Sequence, residues 1–196
     1  MSVGILGGLV LAYAFFLLGK ALRPPLVLRG AQLNPPRPAV GFTLTGPGGQ
    51  DYSLRDFRGG KIVLLYFGYT TSPDLCPRML AKLAEARAAL GTDATRVQVI
   101  FVTIDPERDT PEITAEYAWR FGQSFLGLSG AAADIRTLAN SYGVFYAYVA
   151  GDDQAYQVEH TPLAALIDMQ GQLRAVYPLD MAVEDISVDL RILLEE

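Results

Sequence analysis

Residues 61–80 read KIVLLYFGYTTSPDLCPRML. The apolar run through Ile62, Val63, Leu64, Leu65, Tyr66 and Phe67 predicts a strand over 61–69 that is covered on both faces. Pro73 and Pro77 both suit the first turn of a helix, where a missing N–H costs nothing. The helix therefore starts between them and runs to about residue 90, with Leu75, Met79, Leu83, Ala86 and Leu90 on one face. Cys76 then lies near that first turn, beside unpaired N–H groups and the positive end of the helix dipole, which favours a thiolate. Two readings of Cys76 stand at this point: a functional thiol, or a small buried hydrophobe. Ser72 followed by Pro73 also reads as an N-cap followed by the first helical position.

Outward from this junction, strands and helices alternate. On the N-terminal side, 41–45 and 52–54 form a short hairpin around Gly46, Pro47, Gly48 and Gly49. On the C-terminal side, 97–104 is a second buried strand, and 111–121 is a helix with Asp109 or Thr110 as N-cap, Pro111 near N1 and Glu112 in the first turn. Then follow a strand at 125–128, a helix at 131–142, strands at 145–149, 163–168 and 172–177, and a closing helix at 181–194. This order predicts an α/β, thioredoxin-like fold, a central mixed sheet flanked by helices with an N-terminal hairpin. Ligands of open α/β sheets gather at the carboxyl edge, where Asp105 ends the second buried strand. Its neighbours Glu107, Arg108 and Asp109 read as a solvated, partly ion-paired loop.

The N-terminal part has a different character. Residues 2–19 carry no charge and, as a helix, would be about 27 Å long, close to the hydrocarbon thickness of a bilayer. Residues 1–19 are therefore expected to be a single-pass membrane anchor, with no basic front end of the kind a signal peptide carries. Pro24, Pro25, Pro35, Pro36 and Pro38 make 20–40 an expected semi-rigid linker, and the folded domain is expected over 41–196. Lys20, Arg23 and Arg29 after the apolar run favour a cytoplasmic domain.

Composition excludes several classes. The chain of 196 residues has a formal net charge of −5 and no basic run interleaved with aromatics, so nucleic acid is not an expected partner. It contains one cysteine and one histidine. That forbids an internal disulfide, an intramolecular disulfide oxidoreductase, a four-cysteine zinc site and an all-histidine metal site. A peroxidase of the peroxiredoxin type would want Pro-x-x-x-Thr/Ser-x-x-Cys, and Tyr69 and Pro73 occupy the proline and threonine positions.

The segment Gly68, Tyr69, Thr70, Pro73, Asp74, Cys76, Pro77 resembles the Sco/SenC motif Gly-Tyr/Phe-Thr-His-Cys-Pro-Asp-x-Cys-Pro. The similarity extends through VTIDPERDTPE at 102–112, FLGLSG at 125–130, VEHT at 158–161 and LID at 166–168, and so covers about residues 41–194. The resemblance implies a membrane-tethered domain on the outer or periplasmic face, against the expectation from the basic flank. It implies copper as the bound ion, and a cytochrome c oxidase subunit or another copper protein as partner. Carried over residue by residue, the copper ligands fall on Cys76 and His160. The first motif cysteine falls on Ser72 and the histidine before it on Thr71. Thiolates suit Cu(I) and imidazole suits either copper state, whereas a serine hydroxyl is a hard, neutral oxygen. Met79, one turn past Cys76, is either a thioether donor or a core residue. The thioredoxin-like pattern also places a cis-proline at Pro162, so Thr161–Pro162 is expected to be cis and to face the helix start. Near-site residues are then Ser72, Thr71, Asp74, Asp105 and Pro162. Three functions follow for testing: copper binding or delivery, a non-metal module docking on respiratory partners, and a single-thiol redox protein.

Overall fold

The computed structural model describes residues 27–150 and 156–196. In chain order its elements are β1 (Ala31–Pro38), β2 (Thr43–Thr45), β3 (Asp51–Ser53), β4 (Ile62–Gly68), α1 (Leu75–Ala88), β5 (Val97–Thr103), α2 (Pro111–Trp119), β6 (Leu126–Leu128), α3 (Ala132–Ser141), β7 (Tyr146–Ala150), β8 (Tyr156–His160), β9 (Leu163–Ile167), β10 (Gln172–Pro178) and α4 (Val183–Leu194). Six strands form one sheet in the order β1-β10-β9-β4-β5-β6. β4, β5 and β6 are parallel, and β9, β10 and β1 are added antiparallel. The expected mixed sheet flanked by helices is therefore present, with β2–β3 and β7–β8 as separate hairpins.

Every residue of β4 and β5 is buried. This is why the two read as unbroken apolar runs rather than as alternating ones. Successive side chains of β4 point to opposite faces. Tyr66 stacks towards Phe101, which in turn meets Tyr117 of α2; Phe67 on the other face meets Tyr142 just after α3. α1 buries Cys76, Met79, Leu80, Leu83 and Ala86. Met79 is thus a core residue, as its spacing allowed.

The chain departs from expectation in four places. Residues 20–40 were expected as a linker, yet Ala31–Pro38 is an edge strand paired with β10, and Leu28 and Ala39 are buried. Prolines are compatible with an edge, where half the N–H groups face outward, and the register shifts between Gln32 and Arg37. Second, β8 was not foreseen. Third, Thr161–Pro162 is not cis; among the described residues the cis bond is Asn34–Pro35. The chain instead turns from β8 into β9 through a trans Pro162, with Leu163 N–H donating to the Thr161 carbonyl at 3.1 Å in a one-residue turn. Fourth, α1 begins between Pro73 and Pro77 as expected, but the N-cap position is held by Asp74 rather than Ser72. The apolar stretch 1–19 lies outside the described residues. Among those described, no helix is long and apolar enough to cross a membrane.

The domain's N-terminal side is pinned by Asp189 of α4, which is fully buried. Its carboxylate accepts from Arg29 N–H at 2.7 Å, Gly30 N–H at 2.9 Å and Tyr177 Oη at 3.2 Å. Asp189→Ala strands these donors at once. It is expected to lower the unfolding free energy by about 2–4 kcal/mol, read as a lower denaturant midpoint with an unchanged m-value, and to speed amide exchange at Arg29 and Gly30.

Candidate metal centre

The end of β4, the start of α1 and the end of β8 meet at one point. Cys76 Sγ lies 3.5 Å from His160 Nε2 and 3.5 Å from the Tyr66 hydroxyl. The sulfur also packs on Gly68. A Cβ at that position would stand 2.6 Å from Sγ and 2.9 Å from the Phe101 ring, so glycine is required by close approach. His160 is flanked by the rings of Tyr66 and Tyr69 at 6.2 and 6.1 Å between centroids.

The proton positions follow from the partners. His160 Nδ1 is 3.2 Å from the Thr161 carbonyl, which can only accept, so Nδ1 carries the proton and Nε2 offers its lone pair to Cys76. Burial lowers the imidazole pKa from its ordinary value, and the hydrogen bond to Thr161 opposes this weakly. Burial raises the Cys76 thiol, against hydrogen bonds from Ser72, Tyr66 and the Tyr69 backbone that favour the thiolate. The helix-start argument for a stabilised thiolate is therefore outweighed: the copper-free pair is a neutral thiol donating to a neutral imidazole. Burial also drives the Tyr66 phenol well above its usual range.

The other expected site residues fall out as follows. Ser72 is buried, and its hydroxyl accepts the Cys76 N–H at 3.3 Å, the role of a cap although it lies two residues before the N-cap. Thr71 is exposed. Asp74 is exposed and pairs with Arg78 at 3.1 Å, a contact of little energetic weight. Pro162 is half-buried beside His160. Asp105 is buried, but its partners are Arg108 and Tyr156, not Cys76 or His160. Asp109, expected in a solvated loop, is also buried. It accepts from Thr70 N–H at 2.9 Å, Thr70 Oγ1 at 2.6 Å and Thr103 Oγ1 at 2.6 Å, and so ties the 69–74 loop to the end of β5. Tyr66 and Asp109 were missed as site residues. The one available signal for Tyr66 was a polar tip within a fully apolar strand.

The donor set fits a soft ion in part. One sulfur and one imidazole nitrogen are near enough to share Cu(I), and both elements suit it. The Ser72 hydroxyl is a hard oxygen already engaged with an N–H, and the Tyr66 phenol is held protonated. Among the described residues, no group of three or more His, Cys, Asp or Glu side chains could hold a metal ion.

Comparison with known proteins places the chain among proteins of similar overall fold. The SCO1/SenC family model matches residues 31–195, and the chain belongs to that family. The SCO2-like protein of Rickettsia typhi is 35% identical over 152 residues, covering 76% of this chain and 74% of that protein. The apo Sco1 structure from Thermus thermophilus is 38% identical with a TM-score of 0.75, covering 89% of this chain and 100% of that one. The copper-bound ScoI of Bradyrhizobium japonicum is 35% identical with a TM-score of 0.71, covering 79% of this chain and 98% of that one.

The neutral pair has a definite pH signature. In the unfolded chain the imidazole, with an ordinary value of 6.5, takes its proton first. The stability tied to His160 is therefore present above that value and lost as the pH falls below it. For Cys76, with an ordinary value of 9.0, the unfolded thiol ionises first, and stability is lost as the pH rises past that value. A ring-proton NMR titration of the copper-free chain is expected to place His160 below 6.5. Ultraviolet thiolate absorbance is expected to place Cys76 above 9.0. A Cys76 midpoint at or below the ordinary value would contradict the neutral pair.

Proposed function

We propose that this protein binds Cu(I) through Cys76 and His160 and delivers it during assembly of the cytochrome c oxidase copper centre, with the ligand missing at Ser72 supplied by the partner. The observation that carries this reading is the 3.5 Å approach of Sγ to Nε2 at the end of β4. The copper-bound Bradyrhizobium relative supports it. A site with two strong ligands holds the ion loosely and leaves coordination open, which suits transfer to a protein that completes the set. The apolar stretch 1–19 then tethers the domain on the outer face of a membrane, beside oxidase subunits or another copper protein.

The single-thiol redox reading is disfavoured by the thiol itself, which is buried and held protonated. The non-metal docking reading is separated by experiment. The full chain in mild detergent is titrated with Cu(I) against a colorimetric chelator of moderate affinity. Wild type is expected to hold one equivalent, and Cys76→Ser or His160→Gln to lose more than about tenfold in affinity. Ser72→Cys is expected to gain more than about tenfold. Copper retention by Ser72→Cys alone would replace the delivery reading with the docking module. Retention by neither would sink copper handling altogether.

A further inference from the structure

His160 is the last residue of β8, so its ring moves with the β7–β8 hairpin. That hairpin is outside the main sheet, and its two strands pair only with each other. Side-chain contacts must therefore hold it: Tyr146 and Val158 are buried in the core, the Arg136 guanidinium of α3 lies 4.2 Å from the Tyr146 ring centroid, and the hydroxyls of Tyr148 and Tyr156 both reach the loop between β5 and α2. Tyr156 Oη donates to Asp105 Oδ1 at 2.7 Å. Arg108 Nε donates to the other carboxylate oxygen of Asp105, Arg108 Nη1 donates to the Tyr156 carbonyl at 3.0 Å, and the guanidinium lies 3.8 Å from the Tyr156 ring centroid. Tyr148 Oη donates to the Ile104 carbonyl at 2.9 Å, and the Tyr148 and Tyr156 rings meet edge to face at 5.2 Å. Asp105 is 1% exposed, so its carboxylate relies on these protein donors rather than on water.

We propose that Asp105, Arg108 and Tyr156 form a latch that holds the hairpin down and thereby sets the His160 ring over the Cys76 thiol. Asp105 and Tyr156 are positioning residues, not ligands. Their bearing on copper rests on the function proposed above, whereas the latch itself is a property of the copper-free chain. Cys76 is fully buried, with Tyr66 and His160 against its sulfur. The 69–74 loop beside it is pinned by Asp109 through two hydrogen bonds from Thr70, and Asp109 is itself held by Thr103. The hairpin is then the cover that lifts, and its latch governs both access to the thiol and how long the imidazole stays beside it.

The test uses the metal-free full chain. Tyr156→Phe deletes one hydroxyl and keeps the ring; Asp105→Asn keeps an acceptor for Tyr156 and removes the charge that holds Arg108. Loss of a hydrogen bond to a buried carboxylate is expected to raise the rate at which Cys76 reacts with Ellman's reagent by about ten- to hundredfold. The His160 ring resonances are expected to move towards those of an exposed histidine, with the global unfolding midpoint changing far less than the thiol rate. An unchanged thiol rate and unchanged His160 resonances in folded Tyr156→Phe would overturn the latch. So would a thiol rate that rises only in step with global unfolding. If Asp105→Asn does not fold, Tyr156→Phe decides alone. Copper retention is then compared on the same variants, where faster Cu(I) loss from Tyr156→Phe than from wild type is expected. A wild type that holds no Cu(I) would refute the proposed function and leave the thiol and ring readouts to decide the latch.

Discussion

The contact between Cys76 Sγ and His160 Nε2 joins residues 84 positions apart in the chain. Nothing local creates it. β4 must end in a glycine so that the sulfur can rest on the backbone, and α1 must start close behind to turn Cys76 inward. Asp109 must hold the intervening loop, and the β7–β8 hairpin must return His160 from the opposite direction. The loop and the hairpin are fastened by hydrogen bonds to the buried carboxylates of Asp109 and Asp105, which favour one geometry over several.

The electrostatics of the pair divide its suitability for a metal. A lowered imidazole pKa keeps His160 neutral at physiological pH, which is the ligating form. A raised thiol pKa has the reverse effect, because an incoming cation must displace the Cys76 proton. The burial that disfavours the thiolate also removes competing water and leaves a bound cation as the charge that would stabilise it. The closed pair is thus a resting arrangement whose affinity is set by proton competition as much as by ligand count.

Much of the fold was legible because β4 and β5 are buried on both faces and α1 shows a helical period, so burial wrote itself into the apolar pattern. The site's core was legible for another reason: Cys76 and His160 are the chain's sole cysteine and histidine, and resemblance to a motif paired them. What stayed hidden depends on tertiary context. β1 is rich in proline and mostly exposed, so neither composition nor period marks it; only pairing with β10 makes it a strand. β8 alternates buried and exposed positions over five residues, too few to stand out. Asp105 read as a residue at the ligand edge and Asp109 as a loop charge, since sequence does not show that Tyr156, Thr70 and Thr103 come from elsewhere to satisfy them. The cis-proline expectation failed because a one-residue turn with a trans bond already redirects the chain into β9.

Ser72 deserves to be weighed for what it does rather than for the thiol it replaces. Its hydroxyl accepts the N–H of Cys76, one of the amides that a helix start leaves unpaired, and it does so while buried. A thiol there would be a weaker and longer acceptor. The serine therefore supports the backbone that presents Cys76, and a second sulfur would trade some of that support for a softer ligand. The one-thiol arrangement is locally self-consistent, with the amide satisfied, the sulfur packed on Gly68 and the imidazole held by its own carbonyl contact. The Cys76 N–H and the His160 Nδ1–H each have a partner, whereas the buried Tyr117 hydroxyl, close enough to feel the Cys76 charge, has none among the described residues. On the proposed function a partner would supply further ligands, since among the described residues no group of three His, Cys, Asp or Glu side chains could hold the ion.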